Sequence, residues 1–230
     1  MPDTTPAVAD ETLIRFARRI SHDLNNFSTV VRTYSELLLS ELPADSPTHA
    51  DVAEIQRAAE SMVQYLQRVT RFARAGSMKR VAVPVDHAVT EAVDAMAREL
   101  PERPMAVDGA AALAKAEVQA DPVWFREVIS ELLRNANEAA PAGSPVAVRL
   151  VRAGDAVAIV VCDQGPGFPA SLSVVGEPFV TSKNGVRGAG LGLALTNAFA
   201  LALGGALDVE RSDGETRVRL TLPVSPSASG

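Results

Sequence analysis

The sequence predicts an α+β protein in two parts, a helical hairpin followed by a mixed domain of helices and antiparallel hairpins. Three observations predict it. Apolar residues step by threes and fours through roughly the first seventy positions, the spacing of a helix stripe. Beyond them, short runs alternate or read as continuous apolar strands, separated by turn residues. Glycines then gather between Gly165 and Gly188, where no regular pattern holds.

In the first part, Leu13, Ala17, Ile20, Leu24, Phe27, Val31, Tyr34 and Leu38 form a heptad stripe that slips once to reach Leu42. Asp10 is the expected N-cap. Pro43 to Pro47 breaks the helix, and Ser46-Pro47 supplies an N-cap and first residue for a second one. That helix carries Val52, Ile55, Ala59, Met62, Leu66, Val69 and Ala73, with Gly76 expected to close it. A lone hairpin with one narrow stripe per helix buries little, so a homodimer forming a four-helix bundle is expected. The alternative is that the hairpin packs on the rest of its own chain.

The second part begins near Ser77. Strands are expected at Val81–Val83, Met105–Val107 and Glu117–Ala120, and a helix from Asp86 to Leu100 that Pro101 stops. Pro122 to Ala140 is a strong helix, with Asp121 as N-cap and Pro122 at its first position. Pro145–Arg152 and Ala156–Asp163 make a hairpin around Ala153-Gly-Asp155. A helix from Leu191 to Leu203 ends at Gly204-Gly205. Ala206–Glu210 and Thr216–Pro223 form a last hairpin around Ser212-Asp-Gly214. The expected domains are 10–76 and 77–224, with unstructured ends at 1–9 and 225–230.

Composition narrows the function. The 230 residues are 47% hydrophobic and 22% charged, ordinary for a globular protein. A net charge of −6 gives no counterion-release gain on a phosphate backbone, which argues against nucleic acid as the main partner. The single Cys162 rules out an internal disulfide and disfavours a thiolate metal site. The N-terminus lacks a basic segment followed by an apolar one, and no apolar run approaches the ~18 residues of a spanning helix. A cytoplasmic location is expected. Cys162 and Trp124 read as core, and His49 and His87 as surface.

Four motifs follow one another in the second part. The strong helix carries Glu131-Leu-Leu-Arg-Asn135; a strand ends in Asp163-Gln-Gly165-Pro-Gly167; then come Glu177-Pro-Phe179-Val-Thr181-Ser-Lys183 and Gly188-Ala-Gly190-Leu191-Gly192 opening a helix. An amide oxygen suits Mg²⁺, a hard ion that takes few protein groups. Glycines at a helix N-terminus let backbone N–H groups approach phosphate. Each motif alone has a plain structural reading. In this order, they make the second part resemble the ATP-binding domain of the GHKL superfamily, which includes DNA gyrase and the histidine kinases. The first part extends the resemblance: Ser21-His22-Asp23-Leu-Asn25-Asn26 is similar to the phosphoacceptor box of the histidine kinase dimerisation hairpin.

The resemblance implies roles. Asn135 would hold Mg²⁺ against the triphosphate of ATP. Asp163 would accept from the adenine amino group, with Gly165 and Gly167 beside it. Phe179 would anchor a lid running to Arg187, with Thr181 and Lys183 near phosphate or ribose, and Gly188, Gly190, Leu191 and Gly192 would cradle phosphate. His22, at heptad position f outside the bundle, would take the γ-phosphoryl group. Asp23 would fix its tautomer, and Asn26 would position water for dephosphorylating a response regulator. Glu131, four residues before Asn135, matches the water-activating glutamate of the hydrolytic members and leaves hydrolysis as a side activity.

The implied protein is a two-component histidine kinase, using ATP and Mg²⁺, working as a homodimer and passing its phosphoryl group to a response regulator. Neither a sensor nor a receiver pattern accompanies the two parts, so input is expected from a separate protein or from the rest of a longer chain. The alternatives are a phosphotransfer relay module with an ATP-binding-like domain, a GHKL ATPase or serine kinase, and a structural dimer.

Overall fold

A computed structural model describes residues 7–73, 79–168 and 192–225 and, within the two long helices, the side chains of residues 19, 20 and 22–63. The chain divides into two compact units, one holding the helical hairpin and the other the mixed domain.

The hairpin unit consists of α1 (Ala7–Glu41) and α2 (Pro47–Ala73). Helix α1 starts at Ala7, so Asp10 lies inside it and does not cap it. The second helix starts as its sequence demands. The Ser46 hydroxyl accepts from the His49 N–H at 3.1 Å, and Pro47, with no N–H to satisfy, takes the first position. The expected position of Gly76 as the closing residue lies outside the described residues.

The seam between the helices differs from the expected stripe. Among the described side chains, those buried on α1 are Ser28 and Ser35, and on α2 Val52 and Ala59. These small side chains let the helices pack, while Phe27 (65% exposed), Tyr34 (63%), Val30 and Leu37 remain open. The heptad stripe is therefore turned largely away from the partner helix of the same chain. Burial within one hairpin takes little of its apolar surface from water.

The second unit has a five-stranded sheet in the order β2-β4-β5-β7-β6, and a two-stranded sheet of β1 with β3. The strands are β1 (Val81–Pro84), β2 (Met105–Asp108), β3 (Glu117–Ala120), β4 (Val146–Ala153), β5 (Ala156–Asp163), β6 (Ala206–Ser212) and β7 (Glu215–Pro223). The helices are α3 (Val85–Glu99), α4 (Pro122–Ala139) and α5 (Gly192–Ala202), and a short 3-10 turn spans Ala110–Leu113. Only β2 with β4 runs parallel in the larger sheet; the other pairs are antiparallel.

The core lies between the larger sheet and the helices. Alternate residues of β5 (Val157, Ile159, Val161) and β7 (Val218, Leu220, Leu222) face Phe125, Ile129 and Leu133 of α4 and Phe199 of α5. The two phenylalanine rings meet at a centroid distance of 6.2 Å, tilted by 59°. Trp124 packs on this core only partly buried. Cys162 is buried, but with Ala158 and Val160 on the opposite face of the sheet, where it packs in a separate small cluster.

Candidate functional site

The described site residues expected from the sequence fall in two places, one in each unit. On α1, the His22 side chain is 70% exposed, as the heptad position requires. Its Nδ1 lies 3.1 Å from Asp23 Oδ1, and the other Asp23 oxygen accepts from Arg19 Nε at 3.1 Å. Bonds from His22 and then from Arg19 hold the Asp23 carboxyl below its ordinary range. An ionised carboxylate can only accept, so the ring proton sits on Nδ1 and the lone pair is left on Nε2. Asn26, one turn on, is exposed.

The second place is built around one stripe of α4. Asp121 caps the helix, accepting from Val123 and Trp124 N–H groups, and Pro122 follows it. Glu131, Asn135 and Ala139 then fall on successive turns of one face, a spacing of four that covers about 12 Å. Two glycines pack on this stripe. A Cβ added to Gly192, the first residue of α5, would lie 2.9 Å from Glu131 Oε2 and 3.0 Å from Asn135 Nδ2. One added to Gly165 would lie 2.7 Å from the Ala139 carbonyl oxygen. At Gly165 a side chain would run into the backbone of α4, and at Gly192 it would have to displace the ends of Glu131 and Asn135, so α5 and the turn after β5 both lie close against α4.

Glu131 is 2% exposed, and its Oε1 accepts from Arg134 Nη1 at 2.5 Å. Asn135 Nδ2 is buried and has no hydrogen-bond partner among the described residues. A buried amide left in this way is suited to a ligand that completes it. Its carbonyl oxygen and the neighbouring carboxylate make a donor set that fits Mg²⁺.

At the end of β5, Asp163 is 4% exposed and its Oδ1 accepts from the Gly165 N–H at 2.7 Å. Burial pushes this carboxyl above its ordinary range, outweighing the opposing pull of the Gly165 bond. Gly167 follows, where an added Cβ would meet the Arg211 side chain at 2.7 Å. Thr216 stands directly across from Asp163 in the β5–β7 register, buried, its hydroxyl without a partner among the described residues.

The structure thus gathers Glu131, Asn135 and Gly192 at one end of the stripe and Asp163, Gly165 and Gly167 beside the other. Phe179, Thr181, Lys183, Arg187, Gly188, Gly190 and Leu191 lie outside the described residues. Sequence reasoning missed Thr216, whose only signal is strand register, and Arg134, whose signal was its spacing of three from Glu131. Of the other histidines, His87 is exposed, with Nδ1 3.5 Å from Glu91, and His49 is partly buried. Among the described residues no helix is long and apolar enough to cross a membrane, and no cluster of three His, Cys, Asp or Glu could hold a metal.

One unit thus sets a mixed sheet against helices that carry a glycine-lined stripe, and a helical hairpin precedes it in the sequence. Residues 120–226 match the family described as histidine kinase-, DNA gyrase B-, and HSP90-like ATPase. Over most of its length the chain is homologous to sensor histidine kinases. It is 30% identical to the probable sensor histidine kinase TcrY of Mycobacterium tuberculosis over 94% of this chain and 47% of that protein. It is 27% identical to the sensor kinase CckA of Brucella abortus, over 91% of this chain and 24% of the relative. It is 24% identical to the sensor histidine kinase ZraS of Klebsiella oxytoca over 86% and 43%. The chain therefore spans less than half the length of these relatives. Among solved structures, the mycobacterial sensor histidine kinase MprB superposes with a TM-score of 0.56 at 27% identity, covering 64% of this chain and 99% of that one. Full-length ShkA in complex with AMPPNP shares the fold, with a TM-score of 0.71 at 21% identity over 95% of this chain and 47% of that one.

Proposed function

We propose that this chain is the catalytic core of a two-component histidine kinase, moving the γ-phosphoryl group of ATP to His22 and then to an aspartate of a response regulator. One observation carries the reading: the same chain holds an exposed His22–Asp23 pair on a helix and a glycine-flanked Glu131–Asn135 stripe in an ATPase-family domain. A relay module has no use for the stripe, and a plain ATPase none for the pair.

The hairpin is residues 10–76 and the ATP-binding domain residues 77–224. Asp163, with the Thr216 hydroxyl beside it, receives the adenine. Gly165, Gly167, Phe179, Thr181, Lys183, Arg187 and the run from Gly188 to Gly192 bound the rest of the nucleotide. Asn135 holds Mg²⁺, which supplies charge neutralisation at the phosphates. Glu131 stands beside Asn135, where a carboxylate also gives the site a slow hydrolytic capacity. His22 Nε2 attacks the γ-phosphorus in line and the bond to the ADP oxygen breaks, while the ionised Asp23 keeps the Nδ1 proton in place and offsets the positive charge that develops on the ring. Asn26, one turn along, is placed to orient water when the regulator is dephosphorylated. A second copy of the chain covers the open apolar face of the hairpin, the regulator docks near His22, and a sensory input reaches the core from elsewhere.

The test is incubation with γ-labelled ATP and Mg²⁺. Acid-labile, base-stable label on the wild type, absent from Asn135→Ala, is the expected result. Acid-stable label would point to a hydroxyl acceptor, and released phosphate without label to an ATPase.

A further inference from the structure

The residues that lead into the second unit reach both helices of the nucleotide stripe. Helix α5 has no basic residue in its last turn. Its final carbonyls are nonetheless satisfied one by one. Phe199 and Ala200 accept from the Leu203 N–H, Leu201 from Gly204, and Ala200 again from Gly205. The last, Ala202, accepts from the Arg80 guanidinium, so a distant cation closes the negative end of this helix. The residue before it acts on the other helix. The Lys79 N–H donates to Asp121 Oδ2 at 3.3 Å, while Asp121 Oδ1 holds the first turn of α4.

The two anchors sit at one end of the helix pair and the site at the other. Lys79 touches the N-terminus of α4 and Arg80 the C-terminus of α5. Gly192, at the opposite end of α5, presses on Glu131 and Asn135 farther along α4. Eleven residues of α5 make a rod of about 16 Å between the Arg80 bond and Gly192. The Phe125–Phe199 contact ties α5 to α4 near the Arg80 end. A rod held at one end and packed without spare room at the other transmits an axial shift rather than absorbing it.

We propose that Arg80, with the Lys79 backbone, is a positioning residue for the nucleotide site: it sets the axial placement of α5 on α4, and with it the fit of Gly192 against Asn135. By sequence these residues join the hairpin to the domain, so a rearrangement at the junction would be read as a change in nucleotide affinity. This inference rests on the nucleotide-binding reading above.

The test measures the affinity of the full chain for a fluorescent ATP analogue, and kcat and KM for self-labelling, in the wild type, Arg80→Ala, Arg80→Lys and the control Arg98→Ala. Arg80→Ala should weaken binding about three- to tenfold and raise KM with kcat within twofold. Arg80→Lys, which keeps a cation at the helix end, should recover most of the affinity, and Arg98→Ala should match the wild type. Melting curves recorded alongside separate a placement effect from loss of fold. Unchanged affinity in Arg80→Ala overturns the proposal, as does a loss that vanishes on cooling in step with regained stability. Failure of the wild type to bind any nucleotide would instead remove the functional reading itself.

Discussion

The two units solve opposite problems. The mixed domain closes its own main core: Val157, Ile159 and Val161 of β5 and Val218, Leu220 and Leu222 of β7 are buried with the apolar residues of α4 and α5. The hairpin does not, because its own seam is made of Ser28, Ser35, Val52 and Ala59 while Phe27, Tyr34 and Leu37 stand in water. The difference teaches where each unit's stability originates. One draws it from its own core, and the other keeps its larger described side chains exposed. It also suits the division of labour proposed above. A closed domain can hold a small molecule in a fixed frame, while an open helix face presents one histidine to large visitors.

The largest effect should break the hairpin without touching the domain. Phe27→Asp is expected to weaken the homodimer by about 3 kcal/mol, roughly a hundredfold, because a symmetric interface loses the side chain twice. Sedimentation should show monomers while nucleotide affinity stays as in the wild type. The converse break is Gly165→Ala. Its Cβ would meet the Ala139 carbonyl at 2.7 Å, so the domain should lose about 1–3 kcal/mol in urea melts with the dimer intact.

A subtler contrast is in pH. Asp163 is raised by burial, so its folded form binds a proton more readily than the unfolded chain. Its contribution to stability is therefore greatest in acid and declines as pH rises through the folded pKa. Asp163→Asn should equal the wild type in acid and exceed it in melting temperature near neutrality, while binding nucleotide less well there. Asp23 has the opposite sign, lowered by His22 and Arg19, and stays ionised below the ordinary carboxylate range. Acid inactivation above that range should therefore not come from Asp23. The smallest effect is expected for Arg19→Ala: its ion pair is exposed, and labelling should remain within about twofold of the wild type.

Much of the architecture was legible because the local signals agree with the packing. Asp121-Pro122 and Ser46-Pro47 start helices where capping chemistry demands, and β3 and β5 occupy the expected residues. The site was legible in its local pieces: Glu131 and Asn135 stand on successive turns of one helix face, and Asp163 with Gly165 forms a tight turn at a strand end. What the sequence hid is set by long-range contact. Thr216 meets Asp163 only through strand register, and Arg80 caps a helix 122 residues away. The orientation of the heptad stripe was hidden for another reason. Periodicity shows that a helix has an apolar face, but not whether its own hairpin or a second chain covers it. Helix α1 likewise runs past Asp10, since a good capping residue does not oblige a helix to start there.

In the reading proposed above, the phosphoryl acceptor and the ATP site are separate groups on one chain. Labelling from γ-labelled ATP, measured together with nucleotide binding in His22→Ala and Asp163→Ala, tests it most directly. The expected result is binding without label in His22→Ala, and neither in Asp163→Ala. Label persisting in His22→Ala, or appearing undiminished in Asp163→Ala, would contradict it.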